Sequence, residues 1–187
     1  MTDRFDICLP YTLAQECPFP SDWSNLENFS NDAHDPGGET MCGIIQREYD
    51  VYRKSRGEIC CDVRKITRDE GYAIYRGNYW LPHCPVLPPG LDLAYFDSAV
   101  NEGCVEATRI LQWSLYIDHD GKFGPDTAAA VAAIADVLTM VNTFTIRRKA
   151  VYHMMRGFRY FGSDWIRRSD EIGHTAVKMV TELQKRG

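Results

Sequence analysis

The stretch "LDLAYFDSAVNEGCVEATRILQWSLY" carries apolar residues at Phe96, Val100 and Cys104 and again at Ala107, Leu111 and Leu115. Spacings of three and four keep such residues on one face of a helix, whereas a strand would scatter them over both faces. Gly103 interrupts the run, so the pattern predicts two helices separated there. The same period recurs elsewhere. "CGIIQREYDVYRKSR" reads as a helix over 42–56 ended by Gly57, and Thr67 with Glu70 forms a Ser/Thr-x-x-Glu capping box that opens another. Asp126 or Thr127 opens "AAAVAAIADVL", and a last helical region runs from about Thr143 to Lys185. Beyond short pieces no strand alternation is found, and no repeat of solenoid period. The expected fold class is mainly α.

The N-terminal segment has Phe5, Cys8, Leu9, Thr12 and Leu13 in helical register, and the stripe extended by one turn lands on Glu16. Pro10 is awkward there. It should kink the helix or delay its start, since an interior proline costs about 3 kcal/mol. "CPFPSDWSNLENFSNDAHDPGGE" follows, rich in Pro, Asn, Asp and Ser, and reads as a long ordered loop of the sort that presents chemistry. "LPHCPVLPPG" is a connector, so two parts are expected: 1–90 as a catalytic lobe and 91–187 as a helical C-terminal lobe.

With 187 residues, 44% of them hydrophobic, the chain can bury a real core. A net charge of -5 argues against a broad nucleic-acid surface, although "TIRRKAVYHMMRGFRYF" is locally basic. No apolar run is long enough for stable membrane insertion, and the N-terminus has acids where a signal peptide needs basic residues. The seven cysteines are odd in number and lack zinc-type spacing. Most are expected to be reduced, half-buried thiols, consistent with synthesis in a reducing cytoplasm.

Three chemistries can be tested against the residues. Metal binding is poorly served: His34 beside Asp32 and Asp35 has no second histidine at a matched spacing, and "DHDGKFGPDT" lacks the Glu that ends a calcium loop. Neither a metal nor a cofactor is expected. A cysteine nucleophile would be Cys42, with His34 or His83 as base, although a packed thiol opening the helix beside Gly43 is the preferred reading. The third option is a carboxylate site. Glycosidic cleavage needs one acid that keeps its proton, favoured by burial beside apolar groups, and a second group that holds water. Glu16 ends an apolar stripe and should sit half-buried at the edge of the core, with Asp35 and Thr40 on the loop that could face it. The residues alone favour the other reading of Glu16, a surface acid at a helix end.

Taken together, "RFDICLPYTLAQE", "DPGGETMCGI", "ITRDEGYAIYRGNYW", "FDSAVNEG", "LQWSLYIDHDGKFGPDT" and "DWIRRSD" resemble the blocks of glycoside hydrolase family 108, the N-acetylmuramidases of bacteria and phages. The resemblance implies a lysozyme-like helical fold with an irregular active-site loop, and a C-terminal part like the family's peptidoglycan-binding segment. It implies hydrolysis of the β-1,4 bond after N-acetylmuramic acid, with Glu16 as general acid and, by likeness to phage-type lysozymes, Asp35 and Thr40 placing the attacking water. One departure is plain: where the family runs from "EGGY" almost directly into "DPGG", this chain inserts "CPFPSDWSNLE". A rival alignment therefore puts the acid at Glu27.

Trp23, Tyr79, Trp80, Phe96, Asp97 and Asn101 are expected sugar-binding residues, because aromatic faces and amide or acid groups suit pyranose rings. The expected partner is peptidoglycan, reached in the periplasm or cell wall with a helper such as a phage holin or by lysis, as endolysins do. The protein is expected to be a monomer. A wall-binding or assembly protein without turnover is the alternative function.

Overall fold

The computed structural model describes residues 3–31 and 38–185. His34 and Asp35 lie outside the described residues. Two compact units emerge, one of Phe5–Asn78 and the other of Met1–Arg4 with Tyr79–Gly187.

The first unit contains most of α1 (Arg4–Glu16), then β1 (Phe29–Ser30), β2 (Thr40–Met41), β3 (Ile44–Ile45), α2 (Gln46–Ser55) and α3 (Arg68–Tyr75). Helix α1 buries Phe5, Cys8, Leu9, Thr12 and Leu13, the stripe read from the sequence, and it runs through Pro10 without a break. That corrects the expected late start. Pro10 and Asp6, whose carbonyl the proline leaves unpaired, both lie on the exposed face, where water can satisfy that group. The loop after α1 is organised by the buried amide of Asn28. Its Oδ1 accepts from the N–H of Phe19 at 2.8 Å, and its Nδ2 donates to the carbonyls of Phe19 at 3.1 Å and Asp22 at 2.8 Å. One side chain thereby satisfies three backbone groups.

The three strands form an antiparallel sheet in the order β1-β2-β3, with Phe29 opposite Met41 and Met41 opposite Ile44. The helix expected from Cys42 thus starts four residues later, at Gln46. Cys42 and Gly43 are instead the two turn residues of a hairpin, both at positive φ (46° and 73°), the combination a type I′ turn requires. Helix α3 opens as expected, with Thr67 and Glu70 making both bonds of the capping box.

The second unit contains α4 (Leu91–Glu102), α5 (Cys104–Ser114), α6 (Pro125–Ala132), α7 (Val137–Met154) and α8 (Phe158–Gln184). The division of α4 from α5 falls at Gly103, as the sequence predicts. The last helical region is two helices rather than one. α7 begins earlier, where the Asp136 carboxylate accepts from the N–H of Thr139, and Met155, in an extended conformation, ends it before α8. Every residue of α4 from Leu91 to Ala99 is buried, so this helix is the axis of the unit.

Its polar residues are matched by charge. Asp97 is fully buried and receives Nη1 of Arg148 at 2.8 Å and Nη2 of Arg168 at 2.9 Å. Arg148 also donates its Nε to Glu102 at 2.9 Å, while the Tyr152 hydroxyl lies between Glu102 and the Asn101 amide oxygen. Two guanidinium groups facing two carboxylates leave no net charge inside the unit, the condition under which a buried ionic cluster is tolerated.

Candidate active site

The first unit places Glu16 at the last residue of α1, half-buried, and the next residue, Cys17, forms a disulfide with Cys42. That pairing corrects the reading of Cys42 as a free thiol and leaves it unable to act as a nucleophile. Among the described residues the other five cysteines are reduced thiols, as most were expected to be. The bond joins the end of α1 to the β2–β3 turn.

Gly43, the second residue of that turn, has a further reason to be glycine. A Cβ at this position would stand 2.6 Å from Oε2 of Glu16 and 2.8 Å from Oη of Tyr75. The Glu16 carboxyl and the Tyr75 hydroxyl therefore both occupy the space that the missing side chain leaves. Tyr75 is buried, and its hydroxyl donates to the Cys42 carbonyl at 2.6 Å. Cys42 holds a left-handed conformation that costs a non-glycine residue about 1–2 kcal/mol. The disulfide on its side chain and the tyrosine bond on its carbonyl hold it there. Sequence reasoning missed Tyr75 and Gly43 as neighbours of Glu16. The available signal was that Cys17 follows the acid directly and Cys42 directly precedes the glycine.

Glu27 has a different setting. It is exposed within the short 3-10 turn Leu26–Asn28, and its N–H donates to the side chain of Asn25, which caps the turn. Thr40 is half-buried on β2 and donates its hydroxyl proton to the Gly38 carbonyl at 3.0 Å, which leaves its oxygen free to accept.

The expected sugar-binding residues are placed mostly in cores. Trp23 is 5% exposed, its ring edge-on to Tyr72 and so tightly against Gly71 that a Cβ there would fall 2.0 Å from the indole. In the second unit Trp80 packs edge-on against Phe96 at 5.4 Å, and both are buried, as is the ion-paired Asp97. In the fold, Trp23, Trp80 and Phe96 take part in packing and Asp97 in charge balance. Asn101 is half-buried with its amide oxygen facing the Tyr152 hydroxyl. Tyr79 is half-buried as well, and its carbonyl accepts from the Cys84 thiol. Among the described residues no group of three or more His, Cys, Asp or Glu side chains could hold a metal ion, and no helix is long and apolar enough to cross a membrane.

The site can be set beside known proteins. The family model of glycosyl hydrolase 108 matches residues 25–103, in agreement with the resemblance that the sequence blocks carry. The segment contains Glu27, Asp35 and Thr40 and begins after Glu16. No curated protein sequence matches the chain. Among solved structures, that of Brucella abortus SagA is similar over 94% of each chain, with 27% sequence identity and a TM-score of 0.77.

Proposed function

We propose that this chain, a glycoside hydrolase whose residues 25–103 carry the family 108 signature, is a peptidoglycan hydrolase of the N-acetylmuramidase type with Glu16 as its general acid. The observation that carries the assignment of the acid is the seat of Glu16: a carboxyl at a helix end, half-buried, resting on the bare backbone of Gly43 and fixed by the adjacent disulfide. General acid catalysis requires a group on a rigid element with an apolar flank, and the α1 stripe and the hairpin turn supply both. Glu27, exposed on a short turn, has neither.

In this reading Glu16 gives its proton to the glycosidic oxygen as the bond to the anomeric carbon breaks. Water then adds to that carbon from the opposite face and passes its proton to a carboxylate. Asp35 is proposed as that base and Thr40 as an acceptor that orients the water. Positioning of water rather than covalent attack corresponds to inversion at the anomeric carbon, which goes with carboxyls about 6.5 to 9.5 Å apart.

Digestion of purified peptidoglycan tests the whole scheme. New reducing muramic acid ends without new amino groups are expected, with inverted anomeric configuration by NMR. New amino groups would assign a peptidase or amidase instead, and binding of sacculi without new ends would assign a wall-binding protein. Removing a general acid costs about a hundredfold to ten-thousandfold, so Glu16→Gln should nearly abolish cutting while Glu27→Gln loses less than about tenfold. The reverse order would move the acid to Glu27.

A further inference from the structure

The first unit contains a second concavity, a groove of about 410 Å³. One wall comes from Asp22, Trp23 and Ser24, the other from Arg64, Lys65 and Arg68. Residues 22–24 belong to the inserted "CPFPSDWSNLE" and precede the segment that the family model matches. The insertion is thus one face of a built depression.

The two walls differ in charge. Arg64 is held by Asp62 and lies over the Phe29 ring at 5.3 Å, so its charge is largely matched. Lys65 and Arg68 are exposed, and Arg68 is laid along Tyr72 by a 3.2 Å bond from its Nη2 to the phenol oxygen. The Tyr72 ring in turn meets Trp23 edge-on at 6.1 Å, so the cation rests on a fixed aromatic support. Across the groove the Asp22 carboxylate accepts from both the hydroxyl and the N–H of Ser24, at 2.6 and 3.1 Å, which fixes its direction.

We propose that this groove binds the peptide stem of the wall polymer, taking its carboxylates on Lys65 and Arg68 and its free amine on Asp22. The volume lies within the range of about 300–1,000 Å³ typical of small-ligand sites, enough for a few amino-acid residues. Two cations opposite one carboxylate suit a short peptide with an excess of acid groups and one amine. A neutral glycan has no use for them. The inference rests on the peptidoglycan reading above and adds that this chain discriminates stem-bearing strands from bare ones.

Binding is tested apart from cutting by titrating the Glu16→Gln protein with the synthetic tripeptide N-acetyl-alanyl-γ-glutamyl-lysine, whose two carboxylates and single lysine amine carry the required chemistry. Each exposed ion pair is worth up to about fivefold, so Lys65→Gln with Arg68→Gln should weaken binding by about twofold to twenty-fivefold, while Lys54→Gln, on exposed α2 surface, should leave it unchanged. Asp22→Asn should weaken binding of the tripeptide but not of its N-acetyl-lysine form. In the active protein the Lys65 and Arg68 pair of changes should raise KM for stem-bearing peptidoglycan and leave kcat as it is. Absence of tripeptide binding, or equal binding by all variants, overturns the groove assignment. Failure of the wild-type protein to cut any strand, with tripeptide binding intact, would instead count against the hydrolase reading.

Discussion

Gly43→Ala is the change that bears most directly on how the acid is seated. The added methyl would lie 2.6 Å from Oε2 of Glu16, 2.8 Å from Oη of Tyr75 and 3.1 Å from Cβ of Glu16. A relaxed carbon–oxygen approach is about 3.3 Å, so something must move by about 0.7 Å. Tyr75 is the less free of the two oxygens, because its ring is buried and its hydroxyl is committed to the Cys42 carbonyl. The carboxyl of Glu16 therefore gives way. Misplacing a catalytic group by about 1 Å costs up to about a hundredfold, so kcat for reducing-end release should fall between about tenfold and a hundredfold with KM little changed.

The substitution also places alanine at a φ of 73°, which costs about 1–2 kcal/mol of stability whatever surrounds it. Gly57 separates the two effects. It has the same φ of 73° and nothing within 4 Å of its would-be Cβ. Gly57→Ala should thus lower the melting temperature by a similar amount, about 2–8 °C, and leave kcat intact. Wild-type activity in Gly43→Ala, or an equal loss in Gly57→Ala, would refute the claim that the bare turn backbone positions the acid.

Two further outcomes concern stability. The Cys17–Cys42 bond spans a sequence separation of 25, for which chain entropy gives a stabilisation of about 3.5 kcal/mol, so replacing both cysteines by serine should lower the unfolding free energy by about that amount in denaturant titrations. In the second unit, Arg168 and Arg148 hold the buried Asp97 carboxyl below the usual carboxylate range against the opposing effect of burial. A depressed carboxyl contributes stability that is fully present above its unfolded value, about 3.9, and is lost as pH falls through the lower folded value. Melting followed from pH 6 to pH 2 should therefore show acid loss below about pH 4. Asp97→Asn should remove that part of the loss and cost about 3–5 kcal/mol at neutral pH, because it leaves buried guanidinium charge unmatched. An Asp97→Asn protein as stable as wild type at neutral pH would show that the cluster does not carry this weight.

What could be read from the sequence was local. The capping box at Thr67 and Glu70 needs four residues, the break at Gly103 needs one, and the half-buried position of Glu16 follows from a stripe on its own helix. The β2–β3 hairpin was hidden because two-residue strands are too short to show alternation, and its turn is Cys-Gly rather than the usual Asn-Gly. The fate of Asp97 depended on Arg148 and Arg168, separated from it by 51 and 71 positions. No local pattern announces such a partner. The packing of Trp23 and Trp80 was hidden for a related reason: an aromatic ring suits a sugar and a core equally, and its neighbours are brought in only by folding.

The same geometry explains how the insertion after Glu16 can be accommodated. Were the acid placed by packing across the loop, every residue added between α1 and the hairpin would disturb it. Here the path from acid to turn is short and covalent: Glu16, Cys17, the disulfide, Cys42, Gly43. Apart from Cys17 itself, the added residues lie in the loop that this bond closes, outside the path. Doubling a loop costs only about 0.6 kcal/mol in closure entropy, and the Asn28 amide and the Trp23–Gly71 contact order the added chain locally. An insertion there can acquire a groove of its own, as residues 22–24 have, while the seat of Glu16 stays as it was. This is also the physical ground for preferring Glu16 to Glu27. Glu27 lies within the loop that the disulfide closes, where added residues can displace it, whereas Glu16 is tied to the β2–β3 turn.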